Sequence, residues 1–202
     1  MISTQRISEK FKMAQEACYA LPFLKEQFKQ FKISQGYAGS YSHFSRQVGR
    51  FIVDDTYSVD FVLSPKTKII VARDGLVTGV VDSIDKCYRG LDFKTGVYYL
   101  GNHVEIKHED GTYAYYEHFA LDEIFVKEGG HVRQGELLGL LGESGWIGPL
   151  PHLHFEVYER NIENFLRKSM PVKFLICPKN KLPHNVRNLL WISEHTQKPM
   201  GF

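Results

Sequence analysis

The chain is poor in several features that would assign it to a large functional class. Its 202 residues include only three cysteines, Cys18, Cys87 and Cys177, odd in number, far apart and never arranged as CxxC. That excludes a disulfide framework and a cysteine zinc knuckle, and leaves the three as free thiols. No run of about 18 apolar residues is present, so no transmembrane segment is expected. The first residues, Met1 to Lys12, are polar and mixed in charge, with no apolar stretch behind them, so no secretory signal is visible. Charge of one sign is also scarce: 25 Lys and Arg against 23 Asp and Glu leave a net +2, too little to argue for a nucleic-acid partner. Repeats and low-complexity segments are missing as well.

What remains is a globular composition, 43% hydrophobic and 24% charged, long enough for one domain of ordinary size plus terminal extensions. Ile7, Phe11, Ala14, Cys18 and Leu21 recur at helical steps and Pro22 follows, predicting a helix over 5–21 and a second amphipathic piece over 23–31. From Ile33 the character changes. A loop rich in Gly, Ser and Tyr runs to His43, and residues 44–56 have no clear period. Then Tyr57 to Leu63 alternates, with Val59, Phe61 and Leu63 on one face and Ser58, Asp60 and Val62 on the other. Short strands at 69–81, 103–119 and 129–142 are separated by turns such as Glu109-Asp110-Gly111, and no convincing helix interrupts 57–158. A short helix is predicted at 161–167 and an edge strand at 172–176. The expected organisation is an N-terminal helical extension (1–32), an all-β core built of antiparallel sheets (33–176) and a C-terminal tail packed on it (177–202).

The most informative stretch is Pro151-His152-Leu153-His154-Phe155-Glu156-Val157. Its period of two turns Leu153, Phe155 and Val157 toward a core and His152, His154 and Glu156 together toward the other side. Two imidazoles on one strand face suit a cation, because neutral imidazole is the commonest metal ligand. Two incidental histidines on an exposed strand face would satisfy the same pattern. The chain supplies company: His43 ends the Gly-rich loop, Asp60 interrupts an apolar strand, and His118 shares its alternation with Ala114 and Tyr116. A catalytic zinc site needs three protein ligands and an open position, with nearby groups to handle protons. His103, His108, His131, His184 and His195 read as surface residues, with His108 drawn inward by its alternation with Val104 and Ile106.

These pieces resemble the lysostaphin/LytM-type zinc metallopeptidases, family M23. Gln35-Gly36-Tyr37 through Ser42-His43, Tyr57 to Phe61, Ala72-Arg73-Asp74-Gly75, Tyr116-Glu117-His118-Phe119, the glycine-rich 130–142 segment and the PHLHFE stretch occur in the family's order over about 33–158. The resemblance implies a LytM-like barrel-sandwich core and one Zn²⁺ held by His43, Asp60 and His154. It implies that His118 and His152 act on the bound water and the scissile carbonyl. It also implies a peptide or peptidoglycan substrate, hydrolysis in cross-bridges or stem peptides, an extracellular or cell-envelope location and a monomer. Two departures stand out. The family's commonest HxxxD pattern would place a histidine where this chain has Thr56. A branch of the family instead carries it in a QGYxGxxSH segment, which His43 fits, but with a shorter gap to the Asp, so residues 44–56 read as an insertion between His43 and Asp60. The Gly145-Trp146-Ile147-Gly148-Pro149-Leu150 segment adds bulk before the histidine pair. Two other readings stay open. One is a catalytically inactive homologue that binds cell wall or regulates a partner hydrolase. The other is a carrier or phosphotransfer domain, suggested by the GxxVxxGxxL pattern near 129–142, although no lysine lies between Val132 and Gly135.

Overall fold

Aromatic and β-branched residues alternating with polar ones, broken by glycine and aspartate turns, fold the described residues into short strands joined by turns. The computed structural model describes residues 18–24, 26–27, 31–48, 51–89, 100–161 and 166–175. The first strands are β1 (Cys18–Ala20), β2 (Lys32–Gln35), β3 (Ser45–Val48), β4 (Phe51–Asp54) and β5 (Val59–Val62). The middle adds β6 (Lys68–Ile70), β7 (Gly75–Val81), β8 (Cys87–Tyr88), β9 (Asn102–Lys107) and β10 (Tyr113–Ile124). The last are β11 (His131–Val132), β12 (Leu137–Leu141), β13 (Gly145–Trp146), β14 (His152–Asn161), β15 (Leu166–Met170) and β16 (Lys173–Leu175). Among the described residues no α-helix occurs, and no helix is long and apolar enough to cross a membrane.

The central sheet runs β11-β7-β9-β10-β14-β15-β4-β3, with β5 pairing β14 and β2, and β12 pairing β10 and β6. Its pairs are antiparallel except β4 with β15. β14 is the hub. Its first half lies against β5, with His154 opposite Asp60, and its second half against β15. On its other side β10 places Glu117 opposite His154. Period two then divides the sheet by chemistry. Leu153, Phe155, Ala114, Tyr116, Val104 and Ile106 are buried in the apolar core with Phe61 and Phe119, while the histidines and carboxylates share the opposite face. Phe155, fully buried, meets Tyr116, Phe174 and Tyr19 at ring distances of 5.1, 5.7 and 6.2 Å. The strand that carries the histidine pair is therefore also anchored by the core.

Two expectations change, one gains detail, and others fall outside the described residues. The helix predicted to end at residue 21 does not reach that far. Cys18–Ala20 is a strand parallel to β16, and Tyr19, Leu21 and Phe23 bury at every second position. The free edge of β16 offers backbone partners that local helical spacing cannot reveal. Residues 1–17, 25 and 28–30 lie outside the described residues; of the second predicted piece, Phe23 bridges to Ile69, Phe23 and Phe31 are buried, and a short turn spans Glu26 and Gln27. At 161–167, Asn161 closes β14 and Leu166 opens β15, paired to each other, so both ends of the predicted helix are strand, while 162–165 lie outside the described residues. The apparent insertion at 44–56 is a hairpin, β3–β4, mounted parallel on β15. The C-terminal tail lies outside the described residues.

His108 is not a surface residue: it is 2% exposed, packed edge-on to Tyr19 at 5.4 Å, with its Nδ1–H donated to the Asp74 carbonyl at 2.8 Å. Burial pulls its pKa down to about 4, outweighing the Asp74 hydrogen bond and the nearby carboxylates. In the unfolded chain it titrates near 6.5, so below that pH the unfolded state takes up a proton that the folded state refuses. Stability should therefore fall between pH 6.5 and 4, by about 3 kcal/mol from this residue alone. Urea midpoints across that range, compared between wild type and His108→Gln, check this: the variant's profile should be flatter, and equal slopes would oppose it.

Candidate metal centre

Asp60 owes its place to both neighbours of β5. On one side β14 sets His154 opposite it, and on the other β2 sets Gln35 opposite it. Asp60 is 4% exposed. Its Oδ2 accepts the Gln35 amide N–H at 2.9 Å. Its Oδ1 faces His154 Nδ1 at 2.9 Å, His43 Nε2 at 3.2 Å and His152 Nε2 at 3.6 Å. Ligand atoms of His43, Asp60 and His154 all lie within 4.8 Å of one another. Burial would push the Asp60 carboxyl up, but the charges of His43 and His152 and the His154 hydrogen bond hold it well below the usual range.

His43 crosses the apparent gap because Gln35 folds its loop. Gln35 Oε1 accepts the backbone N–H groups of Tyr41 and Ser42 at 3.0 and 2.9 Å, and its amide also donates to Ser42 Oγ at 2.8 Å. Gly39 is required there, since a Cβ at that position would lie 2.2 Å from Gln35 Cγ. One glutamine thus ties the loop of the first histidine to the carboxylate. The hairpin locks the other end: Arg46 pairs with buried Asp55 and donates to the Ser42 carbonyl at 3.0 Å. The loop is also stitched to Thr56, whose carbonyl accepts the Ala38 N–H at 2.7 Å.

The tautomers follow from the backbone. A carbonyl only accepts, so each ring nitrogen facing one carries the proton. His43 Nδ1 donates to Gly36, His118 Nδ1 to Ser144 and His152 Nδ1 to Leu150, each at 2.8 Å. All three therefore turn Nε2 toward the site. His43 Nε2 is buried with no hydrogen-bond partner, although a carboxylate oxygen lies 3.2 Å away. Two acceptors at that distance repel unless a proton or a cation lies between them. Burial disfavours a charge on His43, yet Asp60 outweighs it and holds the imidazole pKa above its ordinary value. The site attracts positive charge, as a cation site must.

His118 and His152 complete the floor, their rings edge-to-face at 4.8 Å. His118 sits at a β-bulge with φ of 77°, so β10 shifts register there against β9. Burial, with the charges of His152 and His154, pulls its pKa down to about 4 despite the adjacent Glu117. Glu117 lies on the same polar face, its Oε1 accepting the Gly101 N–H at 2.6 Å. The 145–150 segment leans on the histidine loop: Trp146 stacks on Tyr41 at 5.2 Å, and β13 pairs with β8. Tyr37 and Tyr116 serve packing instead. The Tyr37 hydroxyl bridges the Val172 backbone and the Tyr116 hydroxyl accepts the Ala72 N–H at 2.9 Å.

The five histidines and acids singled out in the sequence, His43, Asp60, His118, His152 and His154, thus converge on one face. Gln35, Glu117 and Ser144 were missed as parts of the site. Gln35 stands next to the loop whose turn it holds, but nothing in its spacing marks it as an anchor. A His–Asp–His cluster of metal-ligand spacing on a β-sheet, flanked by two further histidines, is an arrangement suited to a metallohydrolase.

The chain belongs to peptidase family M23: the family's model matches residues 54–164, more than half of its length. Among curated proteins it is similar to the peptidoglycan DD-endopeptidase ShyB of Vibrio cholerae, 43% identical over 63 residues, 31% of this chain and 14% of ShyB. It is also similar to ShyA of the same organism, 34% identical over 85 residues, 42% of this chain and 19% of ShyA. The matches span less than a fifth of either relative. Among solved structures, the catalytic domain of lysostaphin from Staphylococcus simulans aligns over 73% of this chain and 94% of its own, at 21% identity and a TM-score of 0.48. The family match begins at residue 54, so Gln35 and His43 lie upstream of it.

Proposed function

We propose that the protein is a zinc-dependent endopeptidase that hydrolyses peptide bonds in peptidoglycan, in cross-bridges or stem peptides. The observation that carries this reading is the buried His43 Nε2, without a hydrogen-bond partner, aimed at the same carboxylate as His154 Nδ1. The donor set fits zinc: two imidazole nitrogens and one carboxylate oxygen, the three-ligand count of a catalytic zinc site. His43 Nε2, Asp60 and His154 Nδ1 would hold the ion, which supplies Lewis acidity at the scissile carbonyl and eases the ionisation of a water. The carbonyls of Gly36, Ser144 and Leu150 fix three ring orientations, as ligand-supporting groups do in other metal sites. His118 and His152 present Nε2 lone pairs able to take the proton of the attacking water. Once protonated, the same nitrogen can hydrogen-bond the developing oxyanion or return the proton to the leaving amine. The similarity to ShyA and ShyB, both named as peptidoglycan DD-endopeptidases, supports the choice of substrate.

The test is digestion of purified peptidoglycan and of Gly-rich peptides by zinc-loaded protein, chelated protein and His152→Ala. New amino termini should appear with the loaded wild type alone at full rate. Equal turnover in all three arms would sink the catalytic assignment and favour a homologue that only binds.

The raised pKa of His43 adds a pH signature. Zinc must displace its proton, so apparent affinity should fall as pH drops, beginning above the ordinary histidine value of about 6.5. Calorimetric zinc titrations at pH 7 in buffers of different ionisation enthalpy should reveal proton release. A buffer-independent enthalpy at that pH would contradict it.

A further inference from the structure

His118 has an unfavourable backbone. A residue with a Cβ at φ of 77° is strained, and such a conformation persists only when its surroundings enforce it. The enforcement is visible on every side. The His118 carbonyl accepts the Gly142 N–H at 2.7 Å. The next carbonyl, Phe119, accepts Ser144 Oγ–H at 2.7 Å and Asn102 Nδ2–H at 3.3 Å. Ser144 Oγ in turn accepts the Asn102 N–H at 2.8 Å, and the Ser144 carbonyl accepts the ring Nδ1–H.

Gly101 is the keystone of this packing. A Cβ built on it would lie 2.4 Å from the Ser144 carbonyl oxygen and 3.1 Å from His118 Nδ1. A Cβ on Gly145 would lie 2.4 Å from Gly101 N. The two glycines therefore let the 100–102 turn press directly on the carbonyl that orients His118. That segment is held from both ends of Gly101: its carbonyl accepts the His103 Nδ1–H at 2.8 Å, and its N–H is taken by the side chain just before His118, Glu117 Oε1, at 2.6 Å.

We propose that Glu117 is a positioning residue for His118, acting through Gly101 and the Ser144 carbonyl. It seats the turn, the turn fixes the carbonyl, and the carbonyl fixes both the tautomer and the aim of Nε2. The inference rests on His118 acting in the reaction proposed above. It differs from a role for Glu117 as base or as ligand: only an acceptor oxygen is needed, not a charge, and glutamine at 117 can supply one.

The test compares zinc-loaded wild type, Glu117→Gln and Glu117→Ala by kcat, KM, zinc content and the imidazole ¹H–¹⁵N NMR signal of His118. In Glu117→Ala, kcat should fall about 10²-fold, the scale of a small misplacement of a reacting group, with KM and bound zinc unchanged. The His118 Nδ1–H signal should shift or vanish. Glu117→Gln should restore most of the rate and the signal. If glutamine is as damaging as alanine while the His118 signal persists in both, the charge matters rather than the hydrogen bond, and the proposal is overturned. Wild-type rate and signal in Glu117→Ala overturn it as well, as does loss of zinc in that variant. Should the wild type hydrolyse nothing, the enzymatic reading fails. The NMR arm still decides the clamp, because the signal's loss in Glu117→Ala supports it and its survival refutes it.

Discussion

Asp60→Ala is expected to lose zinc binding and turnover together. Asp60 is the shared neighbour of His43, His152 and His154, and its other oxygen takes the amide of Gln35, which also holds the His43 loop. Its removal would delete one of the proposed ligands and loosen the loop of another. Zinc at four-coordinate protein sites is bound with about 10–16 kcal/mol, so one ligand is worth roughly 3–4 kcal/mol, a loss of several hundred-fold in affinity. Competition titration against a chelator reads that change, and peptide hydrolysis should fall to background at micromolar zinc. The metal-free variant should also differ from metal-free wild type. Without Asp60, the largest influence raising the His43 pKa is gone, leaving burial, which lowers it, opposed only by the Gly36 carbonyl and the more distant Asp55. An Asp60→Ala protein that keeps wild-type zinc affinity would remove the carboxylate from the site.

His118→Ala is expected to separate chemistry from metal binding. His118 touches no proposed ligand through its Nδ1, which is committed to Ser144, and its ring lies 4.8 Å from His152 and 6.3 Å from His154. Its removal should leave one zinc per chain and a similar KM. The rate should fall by about 10²–10⁴-fold, the usual contribution of a positioned acid–base group. His152→Ala should fall by a similar factor. The double variant should fall by less than the product of the two, because both act on the same water. Full additivity would mean that the two histidines serve independent steps. Loss of zinc in His118→Ala would move it into the ligand set.

Much of this centre is written in local pattern. The period of β14 puts His152 and His154 on one face and Leu153 and Phe155 on the other, and the structure keeps that division. Asp60 was conspicuous as an acid in an apolar strand, and the same alternation that buries Val59 and Phe61 sends it to the polar face. What local pattern could not show is pairing across the sheet. Gln35 matters because β2 sets it opposite Asp60, a contact between residues 25 positions apart. Ser144 and Gly101 matter because two loops press together behind His118, and neither loop has a period to read. The misreading of residues 18–20 has the same origin: Cys18 and Leu21 fit a helical spacing, but β16 supplies a partner more than a hundred residues away. His108 was drawn toward the interior by its alternation with Val104 and Ile106, and that signal was the correct one.

The hairpin at β3–β4 resolves the largest departure from the family pattern. Thr56 stands where the commonest pattern has its first histidine, and the chain instead detours through the hairpin before returning to Asp60. The detour costs the site little, because Arg46 and Asp55 close its base and Gln35 holds the loop of His43 against the carboxylate.

Whether His43 supplies the third ligand is the point on which the account stands. Native mass spectrometry at neutral pH, with wild type and His43→Ala exposed to the same slight excess of zinc, measures it directly. The account predicts one zinc per wild-type chain and little or none on the variant. A His43→Ala protein that retains one zinc at wild-type affinity would show that His43 is not a ligand and would contradict it.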